Sequence, residues 1–227
     1  KNYLYKNDLM LLDIIATNNW NRPVYFTSPS AVSGSLDVDK YCHLEGMVYK
    51  FIPVKAENYI RGIGGVSTDT CYEKLVNVCK WGNLHDPWVI VDRESFRNTQ
   101  IARQNYMRVA QSLLMKGKKA EAIKALDTCL YYFPISKIRL DKYMIPFAEI
   151  YFAADDSVKG EQMTKALHAV FVEELTYFAS LGSFRSQFEQ EAGENLSLMS
   201  RLGQMAEVYN RKELADAINA DLKRLSG

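Results

Sequence analysis

At 227 residues, 48% of them apolar and 24% charged, the chain has the composition of a folded protein with a substantial core, and intrinsic disorder is excluded. Twenty-eight basic against twenty-seven acidic side chains leave a formal net charge of +1, so no global field draws nucleic acid or anionic lipid. The longest apolar run, Leu9 to Ala16, contains Asp13 and falls well short of the roughly 20 residues of a spanning helix.

Cys42, Cys71, Cys79 and Cys129 show no CxxC spacing and read as small core residues rather than a disulfide, metal or redox framework. Lys1 to Lys6 lacks both Met and a signal-peptide pattern, and reads like the middle of a longer protein.

Taken in chain order, Asn7 or Asp8 is expected to cap a helix through about Thr17. Its almost all-round apolar surface (Leu9, Leu11, Leu12, Ile14, Ile15) predicts burial on several sides. Asn18 and Asn19 end that helix. Arg22 to Thr27 predicts a short strand, Ser28 to Ser35 a loop, and Met47 to Pro53 a second strand, the two strands pairing against the first helix. Arg61-Gly-Ile-Gly-Gly65 reads as a flexible loop. Thr70 with Glu73 matches a capping box opening a helix to about Lys80, with Cys71, Leu75, Val78 and Cys79 as its apolar stripe. Trp81-Gly82 and Asp86-Pro87 interrupt the pattern, and Trp88 to Val91 predicts one more short strand.

From Phe96 onward the apolar period becomes that of a helix. Arg103 to Pro134 is the strongest pattern: Tyr106, Val109, Ala110 and Leu113 line one helix, Gly117 turns the chain, and Ala122, Ile123, Leu126, Cys129 and Leu130 line a second. This resembles a tetratricopeptide repeat, with Ala110 and Ala122 at the small positions where the helices cross. Two weaker pairs follow, around Tyr143 to Phe178 with Ala148 and Tyr151, and around Leu196 to Leu225 with Ala206 and Tyr209. The spacing between them requires an insertion at Gly182 to Gly193. The expected fold is mainly α (α+β): a small mixed α/β half, residues 1–95, covering one end of tetratricopeptide-like hairpins, residues 96–227, in one compact unit.

Histidine lies beside a carboxylate at His43-Leu-Glu45 and His85-Asp86, the minimum for a metal site or an acid–base pair. With three histidines and no HExxH spacing, neither role is expected, and no serine or cysteine sits in a nucleophile signature. Gly62-x-Gly-Gly65 ahead of a helix could cradle an anion, but it lacks the lysine of a P-loop and reads more simply as a surface loop. Trp20, Trp81 and Trp88 are expected mainly in the core, a sugar-stacking cleft being the lesser reading. Asp8 and Asp69 read as helix caps, and Asn195-Leu-Ser197 is a formal glycosylation sequon. No catalytic, metal-binding or cofactor-binding residue is therefore predicted. Arg103, Tyr106, Gln111 and Lys118 are the candidate interaction residues, on a concave face that would bind a peptide or protein partner; the alternative is that the hairpins form a plain bundle.

Lys6 through Phe26, with its Asn19-Trp-Asn-Arg-Pro-Val-Tyr-Phe26 core, resembles the C-terminal region of a family of large bacterial membrane proteins. Asp39-Lys-Tyr41, Leu44-Glu-Gly46, Thr68-Asp69 and Lys80-Trp-Gly-Asn83 carry the same resemblance. That family is related to protein O-mannosyltransferases and other multi-spanning glycosyltransferases that use lipid-linked sugars. The resemblance implies an N-terminal membrane part holding any catalytic carboxylates, attached to this domain on the periplasmic side. It implies a domain that is itself noncatalytic, with a protein or peptide partner, or a glycan, as ligand.

Overall fold

The computed structural model describes residues 3–33, 36, 38–57 and 59–226, the side chain of Ser33 excepted. Among these residues the protein is mainly helical, with one small four-stranded sheet. It divides into two compact units, residues 1–132 and 133–227. The change of period near residue 95 marks the onset of the long helices, but the first pair of them belongs with the sheet.

In the first unit, helix α1 (Lys6–Asn18) starts behind Tyr5 rather than at Asn7 or Asp8. The Tyr5 amide donates to Asp8 Oδ2 at 2.9 Å, so Asp8 works from inside the first turn. Asn19 ends the helix in the left-handed conformation, as an asparagine can. Strands β1 (Val24–Phe26), β2 (Cys42–Glu45), β3 (Val48–Phe51) and β4 (Gly65–Val66) stand in the order β1-β3-β2-β4. β3 is antiparallel to both β1 and β2, and β2 runs parallel to β4. Cys42 pairs with Phe51 and Leu44 with Tyr49, which puts four buried side chains on one face.

The segment expected as a loop at Ser28 to Ser35 contains a short helix α2 (Pro29–Ser33), with Gly34 and Ser35 outside the described residues. Trp88 to Val91 is not a strand: a turn ends at Trp88, the chain runs on without regular structure, and Trp88 and Ile90 are 90% and 93% exposed.

Helix α3 (Thr68–Tyr72) begins behind Ser67, three residues before the expected Thr70 cap, and widens into a π-helix over Glu73–Val78. Glu73 accepts from Asn77 instead of capping Thr70, and Val78 leaves the expected apolar stripe for solvent. Asp69 pairs with Lys116 and Lys118 rather than acting as a cap.

Helix α4 (Arg93–Met115) and helix α5 (Lys119–Tyr132) form the predicted hairpin, turning at Gly117 with φ +73°. Asp92 caps α4 through the amides of Glu94 and Ser95. Tyr106, Val109, Ala110, Leu113, Ala122, Leu126 and Cys129 are all buried as expected, whereas Ile123 and Leu130 are only half-buried. An Ala110→Phe variant is expected to lose about 1–3 kcal/mol, because the enclosed site cannot take a ring without displacing the helices. A thermal melt against the parent chain checks it.

A second face of α4, beside the apolar one, carries polar side chains, yet it is also buried. Asn105 Nδ2 donates to the Gly46 carbonyl at 3.1 Å, and the Ser112 and Thr68 hydroxyls meet at 2.6 Å. Between them Arg108 donates to the carbonyls of Ile60, Ile63 and Gly64 and to Tyr49 Oη, over 2.8–3.2 Å. This polar seam, at i, i+3 and i+7 along α4, is what joins the hairpin to the sheet.

In the second unit, a 3-10 turn (Lys142–Met144) leads into helix α6 (Ile145–Ala153). Helix α7 (Ser157–Ser180) is capped by Asp156, and helices α8 (Glu189–Val208) and α9 (Lys212–Leu225) follow. α6 packs on α7, α8 on α9, and α7 on both α8 and α9. The expected insertion appears as a 3-10 stretch, Gly182–Phe188, and an early start of α8. Phe152 is clamped between Gly160, where a Cβ would sit 2.8 Å from its ring, and the Tyr209 ring, stacked at 4.6 Å. Asn195 is buried and donates to Glu174, so the sequon asparagine is not open at the surface.

On α7, His168 Nε2 lies 3.2 Å from Asp221 Oδ2 of α9. Burial holds this imidazole below the ordinary histidine value of 6.5, with Asp221 pulling it partly back. The unfolded chain then binds the proton more readily than the folded one. Stability from this group is complete above 6.5 and is lost as pH falls from there towards the depressed folded value. Melting temperatures followed from pH 7.5 to 5 are expected to fall more steeply for the parent than for His168→Gln.

Candidate interaction surface

The structure does not assemble Arg103, Tyr106, Gln111 and Lys118 into one open face. Arg103 and Tyr106 are 2% and 0% exposed. The Tyr106 hydroxyl donates to the Leu75 carbonyl at 2.6 Å and accepts from Trp81 Nε1 at 3.1 Å, which bolts α4 to the π-helical segment. Burial pushes that phenol well above its usual value. Gln111 is half-buried. Lys118 is open, and donates to Asp69 at 2.7 Å. The spacing that suggested a concave face is the spacing of the hairpin's own core.

The two histidine–carboxylate motifs are taken up separately. His43 Nε2 lies 3.1 Å from the Val54 carbonyl, while Glu45 pairs with Lys74 at 3.0 Å and Lys50 at 3.7 Å. His85 stacks on Tyr131 at 4.7 Å, and Asp86 accepts from the Trp88 amide. Among the described residues no group of three or more His, Cys, Asp or Glu is placed to hold a metal ion. Burial pushes the Cys42 thiol up to about 12 and the Cys71 thiol to about 11, so both stay protonated and unreactive at neutral pH. All four cysteines are free.

The glycine-rich segment is held against α4 and β2. Its carbonyls converge on the Arg108 guanidinium, so it offers acceptors to a cation. Gly64 lies with φ +67° so close to β2 that a Cβ would sit 2.3 Å from the Cys42 carbonyl oxygen. Sequence reasoning missed Arg108, because a lone arginine on an amphipathic helix reads as solvent-facing.

What the surface does offer is α1. Of its 13 residues only Asp8 and Leu11 are buried. Leu9, Met10, Leu12 and Ile14 are 43–57% exposed, with Tyr3, Leu4, Tyr5 and Trp20 similarly open beside them. The expected burial on several sides is absent within the described residues. Lys6, Asp13 and Thr17 share the outermost ridge of the helix, and apolar shoulders flank it: Leu9, Leu12 and Ala16 on one side, Met10 and Ile14 on the other. Exposed apolar surface of this extent makes α1 the candidate interaction surface. The sequence carried part of the signal, in the narrow polar ridge of Lys6, Asp13 and Thr17 between apolar positions.

Among the described residues no helix is long and apolar enough to cross a membrane. A family model described as TMEM260-associated domain 2 matches residues 1–70, from α1 through the sheet to the start of α3. No curated protein and no solved structure matches the chain.

Proposed function

We propose that this chain is a noncatalytic accessory and interaction domain of a larger membrane-embedded, glycosyltransferase-like protein, placed on the extracytoplasmic side. The reading is carried by one observation: the stretch matched by a membrane-protein-associated domain model is the stretch that holds the uncovered apolar helix α1. The likeness of the Asn19 to Phe26 block to a family of O-mannosyltransferase relatives supports the glycosyl-transfer link. The hairpins α4–α5, α6–α7 and α8–α9 support a tetratricopeptide-like scaffold, since Ala110, Ala122, Ala148 and Ala206 are small and buried in them. In this role the domain holds an acceptor protein or partner close to an active site that lies elsewhere in the polypeptide. The polar clusters around Arg108, Tyr106 and Glu45 fit that role, because they are engaged in internal bonds.

The test is to fractionate the full-length natural product and to titrate the 227-residue chain with unfolded acceptor peptides and with glycans. Membrane association together with saturable peptide or glycan binding is the expected result. A product that leaves the membrane fraction and binds neither ligand overturns the reading, and leaves a structural tetratricopeptide-like scaffold without any link to glycosyl transfer.

A further inference from the structure

We infer that α1 is a self-association element, through which two copies of this chain pair in antiparallel fashion about a twofold axis. This goes beyond the accessory-domain reading and does not depend on it.

The argument starts from the distribution of residues around the helix. Asp8 and Leu11 face the protein body, so the Lys6–Asp13–Thr17 ridge is turned outward with an apolar shoulder on either side. A helix lying in a lipid interface has one continuous apolar face and a cationic polar face. α1 has instead a ridge with one cation and one anion running between two apolar strips, so a lipid plane would have to take in both charges.

A second α1 laid antiparallel along the ridge meets neither difficulty. With the twofold between positions 9 and 10, Lys6 of each copy stands opposite Asp13 of the other, giving two symmetry-related ion pairs. Met10 then meets Met10 of the second copy on one side of the seam, and Leu9 meets Leu9 on the other. The antiparallel arrangement also sets the two helix dipoles favourably. Leu9, Met10, Leu12 and Ile14 leave roughly 400 Å² of α1 open, counted at about 200 Å² for a whole side chain. Tyr3, Leu4, Tyr5 and Trp20 beside it leave about as much again, so a seam that takes in both sets reaches the roughly 800 Å² of one partner's share of a standard interface.

Light scattering and sedimentation of the 227-residue chain over a concentration series are expected to show a monomer–dimer equilibrium. Lys6→Glu is expected to weaken it about tenfold, because each lost pair counts twice across the twofold, and Lys6→Glu with Asp13→Lys to restore it to within about threefold. Met10→Cys is expected to give a covalent dimer on mild oxidation, where the parent chain and Thr17→Cys do not. All these positions are exposed in the single copy, so its fold survives the changes. A chain that stays monomeric at every concentration overturns the proposal, as does charge reversal without effect on dimerisation. Co-sedimentation of a monomer with phosphatidylcholine vesicles would overturn it in favour of a membrane surface.

Discussion

Replacing Arg108 with leucine is expected to destabilise the protein by about 3–5 kcal/mol, the largest effect of any single side chain in the first unit. The guanidinium is 2% exposed, and its removal leaves the carbonyls of Ile60, Ile63 and Gly64, together with the Tyr49 hydroxyl, without their donor. Each buried acceptor left dry costs about 1 kcal/mol or more, and the leucine cannot recover this because it is too short to fill the space between three separated backbone groups. The burial that draws the guanidinium below its ordinary value does not neutralise it, and the Tyr49 ring lies 5.9 Å from its centre. Lysine is no substitute: one ammonium cannot span the fork, so Arg108→Lys is expected to recover less than half of the loss. Urea midpoints at constant slope measure both variants. A leucine variant with an unchanged midpoint would show that the seam contributes nothing to stability.

Gly64→Ala is expected to cost about 3 kcal/mol or more, through two separable causes. The backbone sits at φ +67°, where an L side chain is strained, and the new methyl would lie 2.3 Å from the Cys42 carbonyl oxygen, which is itself held in the sheet. Gly117→Ala provides the comparison. Its φ of +73° imposes the same strain, but nothing lies within 4 Å of a Cβ there, so about 1–2 kcal/mol is expected. The difference between the two losses in thermal melts isolates the close approach of the Gly64 loop to β2. Equal losses would mean that the loop can swing away from the sheet.

The α4–α5 hairpin was legible in the sequence because its apolar stripe, its glycine turn and its two crossing alanines are local signals that agree with one another. β1 and β3 were legible for the same reason. β2 and β4 were not: Cys42–Glu45 has no clean alternation, and Gly65–Val66 becomes a strand only by pairing with a segment some twenty residues away. Asn105, Arg108 and Ser112 looked like the wet side of an amphipathic helix, since periodicity records polarity and not burial. The division of the molecule was hidden by the same three residues, because they carry the first helix pair into the unit of the sheet. The candidate site failed in the mirror sense. Tyr106 and Arg103 were assigned to a surface that is the interior, while Leu9, Met10 and Ile14 were assigned to an interior that is open.

The polar seam along α4 also sets an order of events during synthesis. Residues 1–92 emerge ahead of α4, carrying the whole of the small sheet but not the side chains that fix the turn and loop beside it. The donors that fix the Gly46 turn and the Ile60 to Gly64 loop belong to Asn105 and Arg108, so these two segments lack their partners as the α/β half emerges. The turn and the loop stay unfixed until α4 has cleared the exit tunnel, and a nascent chain in that condition is a natural client for a holding chaperone.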